Sequence, residues 1–442
     1  MLLVKPIFIL GKNPTFKKKD AFGFVRITKK REQERKIREI LKETERNLEK
    51  AKILKPMIIR EKEDFEKLML MDIQLEEIDA FLIFKKCLGF GIEIAKLAEK
   101  GKPIIIFQEQ NVPNLAFDAM EYAANKKNVF VALSFKDMNE TLKFLEVKKK
   151  LERTKILVLC SDFPFYHERV KPKTADLEAI KSKLGVEIEE VSYEEFLEKW
   201  NSISQRKAKA LAKEWISKAE KIVEPTENDV SLVARLYLAI KAMLKERKAN
   251  ALTLIYGESP FPVPCLAYTY LRDEGIPAAC EGDINSLLMM ILLHYLAEKP
   301  AFMGNTVLAD VKNNVVAISH CIVPTKMKGY ASEPLPYTLR SYHGLKFRGS
   351  VTAYCQLEKG RKVTITRFNN DLTKIFVCTG KILSCKDYED PQLCRAVVKI
   401  KVRNVKDFLN KTFGNHHVVI YGDYMRELRK IGDLLDVRVI EA

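Results

Sequence analysis

Short apolar runs alternate with charged, amphipathic stretches from the start of the chain to about residue 150. LLVKPIFIL, MIIR, AFLIF, PIIIF and VFVAL have the length and β-branched content of strands. Helical patterns lie between them, at Arg31–Lys52, around Phe65–Met71, at Ile92–Glu99 and near Phe117–Ala124, with a long last one before residue 150. Strand and helix in turn predict a parallel sheet covered on both faces. The pattern restarts at KILVLCS (Lys155–Ser161) and continues through helices and strands to IPAAC and the apolar helix SLLMMILLHYLA. After about Pro324 helical periodicity fades, and SVTAYCQL, KVTITRF, KIFVCTGKIL and RAVVKIKV read as strands joined by turns such as EKGRK and FNNDLT. The expected fold is α/β: two doubly wound parallel-sheet domains, 1–150 and 151–325, then a β-rich, antiparallel barrel-like domain over 326–442.

Composition narrows the class. In 442 residues, 47% hydrophobic and 31% charged content excludes a disordered chain, and the longest near-apolar run, Leu287–Ala297, is too short to cross a bilayer. MLLVKPIFILGKN is split by Lys5 and has no small-residue cleavage site after it, so an edge or first strand is expected there. Nine scattered cysteines without a C-x-x-C pair fit reduced thiols and a cytoplasmic home. The net charge of +17 invites a nucleic-acid role. The signs nevertheless alternate along Arg31–Lys52, and the pure Lys runs lack interleaved aromatics, so that role is not favoured. A surface rich in Lys and Glu also fits a heat-adapted protein.

Phosphate loops, nucleophile elbows and H-E-x-x-H pairs do not occur, and Gly89-Phe90-Gly91 lacks the remainder of a dinucleotide fingerprint. The informative stretch starts at Cys280. Glu281 and Asp283 follow the strand IPAAC and precede a helix, where α/β sheets present ligand-binding groups. Asp283 is read as the helix cap and Glu281 as a site residue. His320 closes the strand VVAIS; alone it would read as a satisfied strand-end histidine. In GNHHVVIYGD two consecutive imidazoles enter one strand, so one of His416 and His417 faces the sheet and the other a cleft or solvent. Glu281, His320 and one of that pair would make a two-histidine, one-carboxylate set suited to Mn²⁺ or Fe²⁺. Cys265, Cys280 and Cys321 flank these positions and are read as small apolar fillers.

Together, CEGDINSLLMMILLHYL, the strand AFM, His320 and GNHHVVIYGD resemble the L-fucose and L-arabinose isomerases, most closely the shorter fucose-isomerase-like proteins, from about residue 155 to the end. The resemblance implies metal-dependent aldose–ketose isomerisation through an ene-diol, with a divalent ion, Mn²⁺ by preference, polarising the sugar. Glu281 matches the first carboxylate, both ligand and acid/base; His417 matches the late histidine ligand; His320 matches a ligand of the arabinose branch. His343, Arg348 and His416 would contact substrate, and the basic pair in SYHGLKFRGS suits an anionic sugar. A trimer or hexamer is implied, the first domain of one subunit covering the cleft of another. One departure stands out: after the strand Ala301–Met303 the family has a second carboxylate, and this chain has Gly304 and Asn305. An amide cannot take a proton at neutral pH. Two functions therefore stay open, a metal-dependent sugar isomerase and a sugar-binding or regulatory protein that keeps the cleft without catalysis.

Overall fold

The computed structural model describes residues 1–18, 23–70, 77–110, 119–121, 126, 128–162, 176–255, 260–345, 348–388 and 393–442. The chain divides into two compact units, Met1–Val147 and Lys148–Ala442. Most of the helix expected near 117–124 falls outside the described residues.

The first unit is a parallel sheet. Its strands are β1 (Leu2–Ile9), β4 (Ala51–Ile53), β5 (Met57–Ile59), β6 (Ala80–Lys85), β7 (Ile104–Phe107) and β8 (Val129–Ala132); β2 (Thr15–Lys17) and β3 (Phe24–Arg26) form a separate antiparallel pair. β4 and β5 both lie along one side of β1, Ala51 opposite Leu2 and Met57 opposite Ile7, as one strand interrupted around Pro56, which cannot donate to a ladder. The spatial order β4/β5–β1–β6–β7–β8 reverses direction at β1. β1 is therefore interior, paired on both sides, rather than an edge, and Ile7, Phe8 and Ile9 are fully buried. Helices α1 (Lys30–Asn47), α2 (Lys62–Met69) and α3 (Gly91–Glu99) alternate with the strands, and α4 (Phe135–Glu152) carries the boundary between the units.

The second unit holds a smaller parallel sheet in the order β10 (Glu187–Val191), β9 (Lys155–Leu159), β12 (Ala251–Leu254), β13 (Ala278–Cys280), with β11 (Lys221–Ile222) lying elsewhere. Its helices are α5 (Tyr193–Ser202), α6 (Gln205–Lys218), α7 (Glu227–Glu246), α8 (Cys265–Asp273) and α9 (Ile284–Ala297). α5 and α6 are separated at Ile203, and Ser204 caps the second of them by accepting from Lys207 N–H.

The remainder closes into a barrel. β14 (Phe302–Asp310), β15 (Val315–His320), β18 (Lys362–Phe368), β19 (Lys374–Asp387), β20 (Ala396–Val402) and β21 (His416–Tyr421) pair antiparallel in the ring β18–β21–β14–β15–β20–β19 and back to β18. Closure is possible because β19 is 14 residues long: its first half pairs with β18 and its second with β20. β16 (Tyr337–Arg340), β17 (Thr352–Cys355) and β11 form a small side sheet, and β22 (Arg438–Glu441) adds parallel to β19. α10 (Val405–Lys411) and α11 (Met425–Leu435) complete the unit. The strands at 302–320, placed with the central segment by sequence, join the barrel instead. Their partners, β20 and β21, come from more than 70 residues later, which local periodicity does not report.

α9 explains its own composition. It packs on β12 and β13 on one side and on β18 and β21 on the other, so both faces are buried and no polar stripe is needed. Replacing Leu288, fully buried in its middle, by Ala should destabilise the protein by about 2–5 kcal/mol. Urea unfolding of the variant would show that loss, and a cost below about 1 kcal/mol would mean the helix is not held on both sides.

Candidate functional site

The site forms where β13 ends and α9 begins, against the open end of β14, β15 and β21. Glu281 follows β13 with φ +60 and Gly282 with φ +66, two successive left-handed residues that turn the chain from strand to helix. A left-handed glutamate costs free energy and persists only where its surroundings enforce it. Here Gly282 N–H donates to Thr253 Oγ1 at 3.1 Å and Asp283 N–H to Cys280 O at 3.1 Å, fixing the turn on both sides.

Asp283 caps α9, its Oδ1 accepting from Ser286 N–H at 2.9 Å, but that is the smaller part of its work. Its Oδ2 also accepts from Arg367 Nη1 at 2.9 Å and from His416 Nδ1 at 2.9 Å. Burial alone would raise this carboxyl; the His416 hydrogen bond and the Arg367 charge outweigh it and hold the group well below the usual carboxylate range. Arg367 is 6% exposed and also donates to His416 O at 2.7 Å. Sequence gave no sign of it, since its partners lie 49 and 84 residues away.

With Nδ1 given to Asp283, His416 presents Nε2 to Glu281 Oε2 at 3.8 Å. A carboxylate on the far nitrogen is how metal-ligating imidazoles are oriented. His320 closes the group, its ring centroid 5.8 Å from that of His416. Ligand atoms of Glu281, His320 and His416 all lie within 4.8 Å of one another. Burial and then the neighbouring His416 push the His320 imidazole down to about 3, so it is neutral at ordinary pH, and its Nδ1 makes no hydrogen bond with the protein. Asn305, opposite His416 in the β14–β21 ladder, shares its face and lines the same cavity of about 570 Å³ with Glu281, Asp283 and Arg367. Its Oδ1 is likewise buried without a hydrogen-bond partner. A neutral imidazole with an uncommitted nitrogen, an oriented second imidazole, a carboxylate and a spare amide oxygen are a donor set that fits a divalent ion.

The late histidine of this set is His416 rather than His417. Consecutive strand residues face opposite ways, and His417 lies on the other side of β21, fully buried against Phe408 and Phe376. Both its nitrogens are engaged, Nδ1 with Thr306 Oγ1 at 2.9 Å and Nε2 with Thr412 Oγ1. Its ladder partner is Gly304, where an added Cβ would stand 2.8 Å from Ile318 Cγ2 and from Ser319 O, so no side chain fits there. His343 and Arg348 are not among the described residues lining the cavity. His343 instead meets Cys394, Nε2 to Sγ 3.1 Å, and exposed Arg348 lies near Asp229. Cys265, Cys280 and Cys321 are all buried. No described helix is long and apolar enough to cross a membrane.

The chain is similar to a sulfoquinovose isomerase from Alkalicoccus urumqiensis, 24% identical over 237 residues, which cover 51% of this chain and 52% of that protein. It thus spans about half the length of that curated relative. Among solved structures, one described as XylFII molecule aligns with 68% of this chain and 96% of its own at 12% identity and a TM-score of 0.15. No protein-family model matches the chain. The sequence relative is a sugar isomerase.

The two adjacent histidines should behave differently. His416→Gln should lower affinity for Mn²⁺ at least about 10-fold with little change in unfolding free energy. His417→Ala should cost about 2–4 kcal/mol, leaving the Thr306 and Thr412 hydroxyls without that partner, while Mn²⁺ binding persists. Calorimetric Mn²⁺ titration with urea unfolding separates the two, and the reverse pattern would return the ligand role to His417. Burial, then the Arg367 charge, depresses His417 to about 3 from an ordinary 6.5. The unfolded chain therefore binds a proton that the folded protein refuses. Stability is full above about pH 6.5 and falls as pH drops toward 3, by about 1.4 kcal/mol per pH unit for this residue. His417→Ala should flatten that slope in metal-free unfolding between pH 6 and 4.

Proposed function

We propose that this protein is a metal-dependent sugar isomerase that interconverts an aldose and a ketose. The observation that carries the reading is the convergence of ligand atoms of Glu281, His320 and His416 to within 4.8 Å of one another, with Asp283 orienting His416 and with Glu281 and His416 lining the cavity. The similarity to a sulfoquinovose isomerase supports the reaction class and suggests a sugar bearing an anionic group as substrate. A divalent ion, Mn²⁺ by preference, held by Glu281, His320 and His416 would polarise the sugar carbonyl and its neighbouring hydroxyl.

The protein's own groups then divide the remaining work. Two of the described carboxylates lining the cavity are committed: Asp283 to Arg367, Ser286 and His416, and Asp371 to Asn369 and Thr373 within its turn. Glu281, with a side chain 41% exposed to the cavity, is the carboxylate left to take a proton from one sugar carbon and return it to the next. Asn305 stands where a second carboxylate would share that work. Its amide orients a hydroxyl by hydrogen bonding but moves no proton. Slow turnover of simple neutral aldoses is the expected consequence, and assembly as a trimer or hexamer belongs to the same proposal.

Hydrogen–deuterium exchange at C2 across L-fucose, L-arabinose and sulfoquinovose, with Mn²⁺ present, tests the reading. Exchange should fall at least about 100-fold in Glu281→Gln. Asn305→Asp should raise it on the neutral sugars. Exchange unchanged in Glu281→Gln would overturn the site assignment, and none on any sugar in protein shown to hold the metal would favour the binding or regulatory alternative.

A further inference from the structure

A second cluster of ligating groups lies beside the first, built from different atoms. Cys321 follows His320 at the end of β15, Cys394 precedes β20, and His343 sits in the 3-10 turn Tyr342–Gly344. One ligand atom from each lies within 4.8 Å of the other two. Tetrahedral zinc, with bonds of about 2.3 Å to sulfur and about 2.0–2.1 Å to nitrogen, separates its ligands by roughly 3.5–3.8 Å, so shifts of about 1.3 Å or less complete the geometry, the wider pairs closing and the 3.1 Å pair of His343 Nε2 and Cys394 Sγ opening slightly.

Two features hold this arrangement in place. His343 has φ +50 and ψ +25, a left-handed conformation that a non-glycine residue keeps only under constraint, and its Nε2 stands 3.1 Å from Cys394 Sγ. Arg395, 1% exposed, supplies the constraint: its Nε donates to Ser341 O at 2.8 Å, tying the turn that carries His343 to the strand start that carries Cys394. The same residue's backbone N–H donates to Cys321 Sγ at 3.4 Å, the kind of contact that settles negative charge on sulfur. A pair of thiols awaiting oxidation would need no imidazole. Three ligands on three chain segments, two of them soft, suit a thiophilic metal.

We infer that Cys321, His343 and Cys394 form a second metal site, specific for zinc or a similarly thiophilic divalent ion. It clamps the 342–344 turn onto the end of β15, next to His320. The fourth position is left to water. The two neighbouring sites differ in hardness: Glu281, His320 and His416 offer oxygen and nitrogen, and this one offers mainly sulfur, which disfavours Mn²⁺ here.

The test uses the full chain, purified with a phosphine reductant, stripped with chelator and titrated with Co²⁺. A thiolate-to-cobalt charge-transfer band in the near ultraviolet should appear, be displaced by Zn²⁺ and resist Mn²⁺. It should persist in Glu281→Gln, because oxygen and nitrogen ligands give no such band, so the outcome is independent of the proposed isomerase site. In Cys394→Ser, a partly exposed position suited to conservative replacement, the band should weaken and zinc affinity should fall by about 100-fold or more. Absence of the band in the wild-type protein, or an unchanged band and zinc affinity in Cys394→Ser, would overturn the inference.

Discussion

The site depends on one carboxylate. Asp283 begins a helix, neutralises a buried guanidinium and fixes a histidine tautomer, and these three partners belong to α9, β18 and β21. Without its charge, Arg367 would be buried with no anion beside it, and breaking such a pair from one side costs several kcal/mol. The same carboxylate couples the parallel-sheet layer to the barrel: α9 is packed between them, and its first residues are the ones that reach both. The site's geometry and the packing of the second unit thus share a common cause. A change at Asp283 would be felt in both.

The assignment of His416 over His417 shows what sequence reading can reach. That two adjacent imidazoles in a strand face opposite ways follows from strand geometry alone. Which of them faces the cavity does not. In a half-exposed strand, alternation of apolar and polar residues would settle it, but Val418, Val419 and Ile420 are all fully buried, because this wall of the barrel is covered by α9 outside and by packed side chains within. A strand buried on both faces carries no periodicity to read. The decisive information is the register that sets Asn305 opposite His416 and Gly304 opposite His417, and register is a long-range property.

Similar reasoning separates the legible parts of the fold from the rest. Repeated strand–helix units announced parallel sheets, and turn-separated strands after 350 announced an antiparallel region, because both signals are local. A barrel-like end was expected, but the strands that close it were not legible, since closure requires the 14-residue β19 to serve two neighbours and the 302–320 hairpin to leave the segment that precedes it. Glu281 could be singled out because it stands at a strand's carboxyl end, a place the topology marks. Arg367 could not, because nothing near it in sequence shows that an anion waits 84 residues upstream. The neighbourhood of Cys321 has the same limit. Its burial suits a filler, and its meeting with His343 and Cys394 is visible only in three dimensions.

Asn305 gains a physical rationale from its surroundings. Its Oδ1 is buried with no hydrogen-bond partner in the protein, a situation that costs about 1–3 kcal/mol unless something outside the protein answers it. Its neighbour Gly304 pairs with His417 on the opposite face of the ladder, so the group this strand offers the cavity at that step comes from position 305. A carboxylate there would add a charge to a cavity that, among the described residues, already holds Glu281, Asp283 and Asp371 against the guanidinium of Arg367, which is spent on Asp283. An amide keeps an oxygen available while sparing that repulsion. In the proposed isomerase an amide at this position would weigh the site toward binding over proton transfer, holding down the negative charge of the cavity and leaving the proton traffic to Glu281.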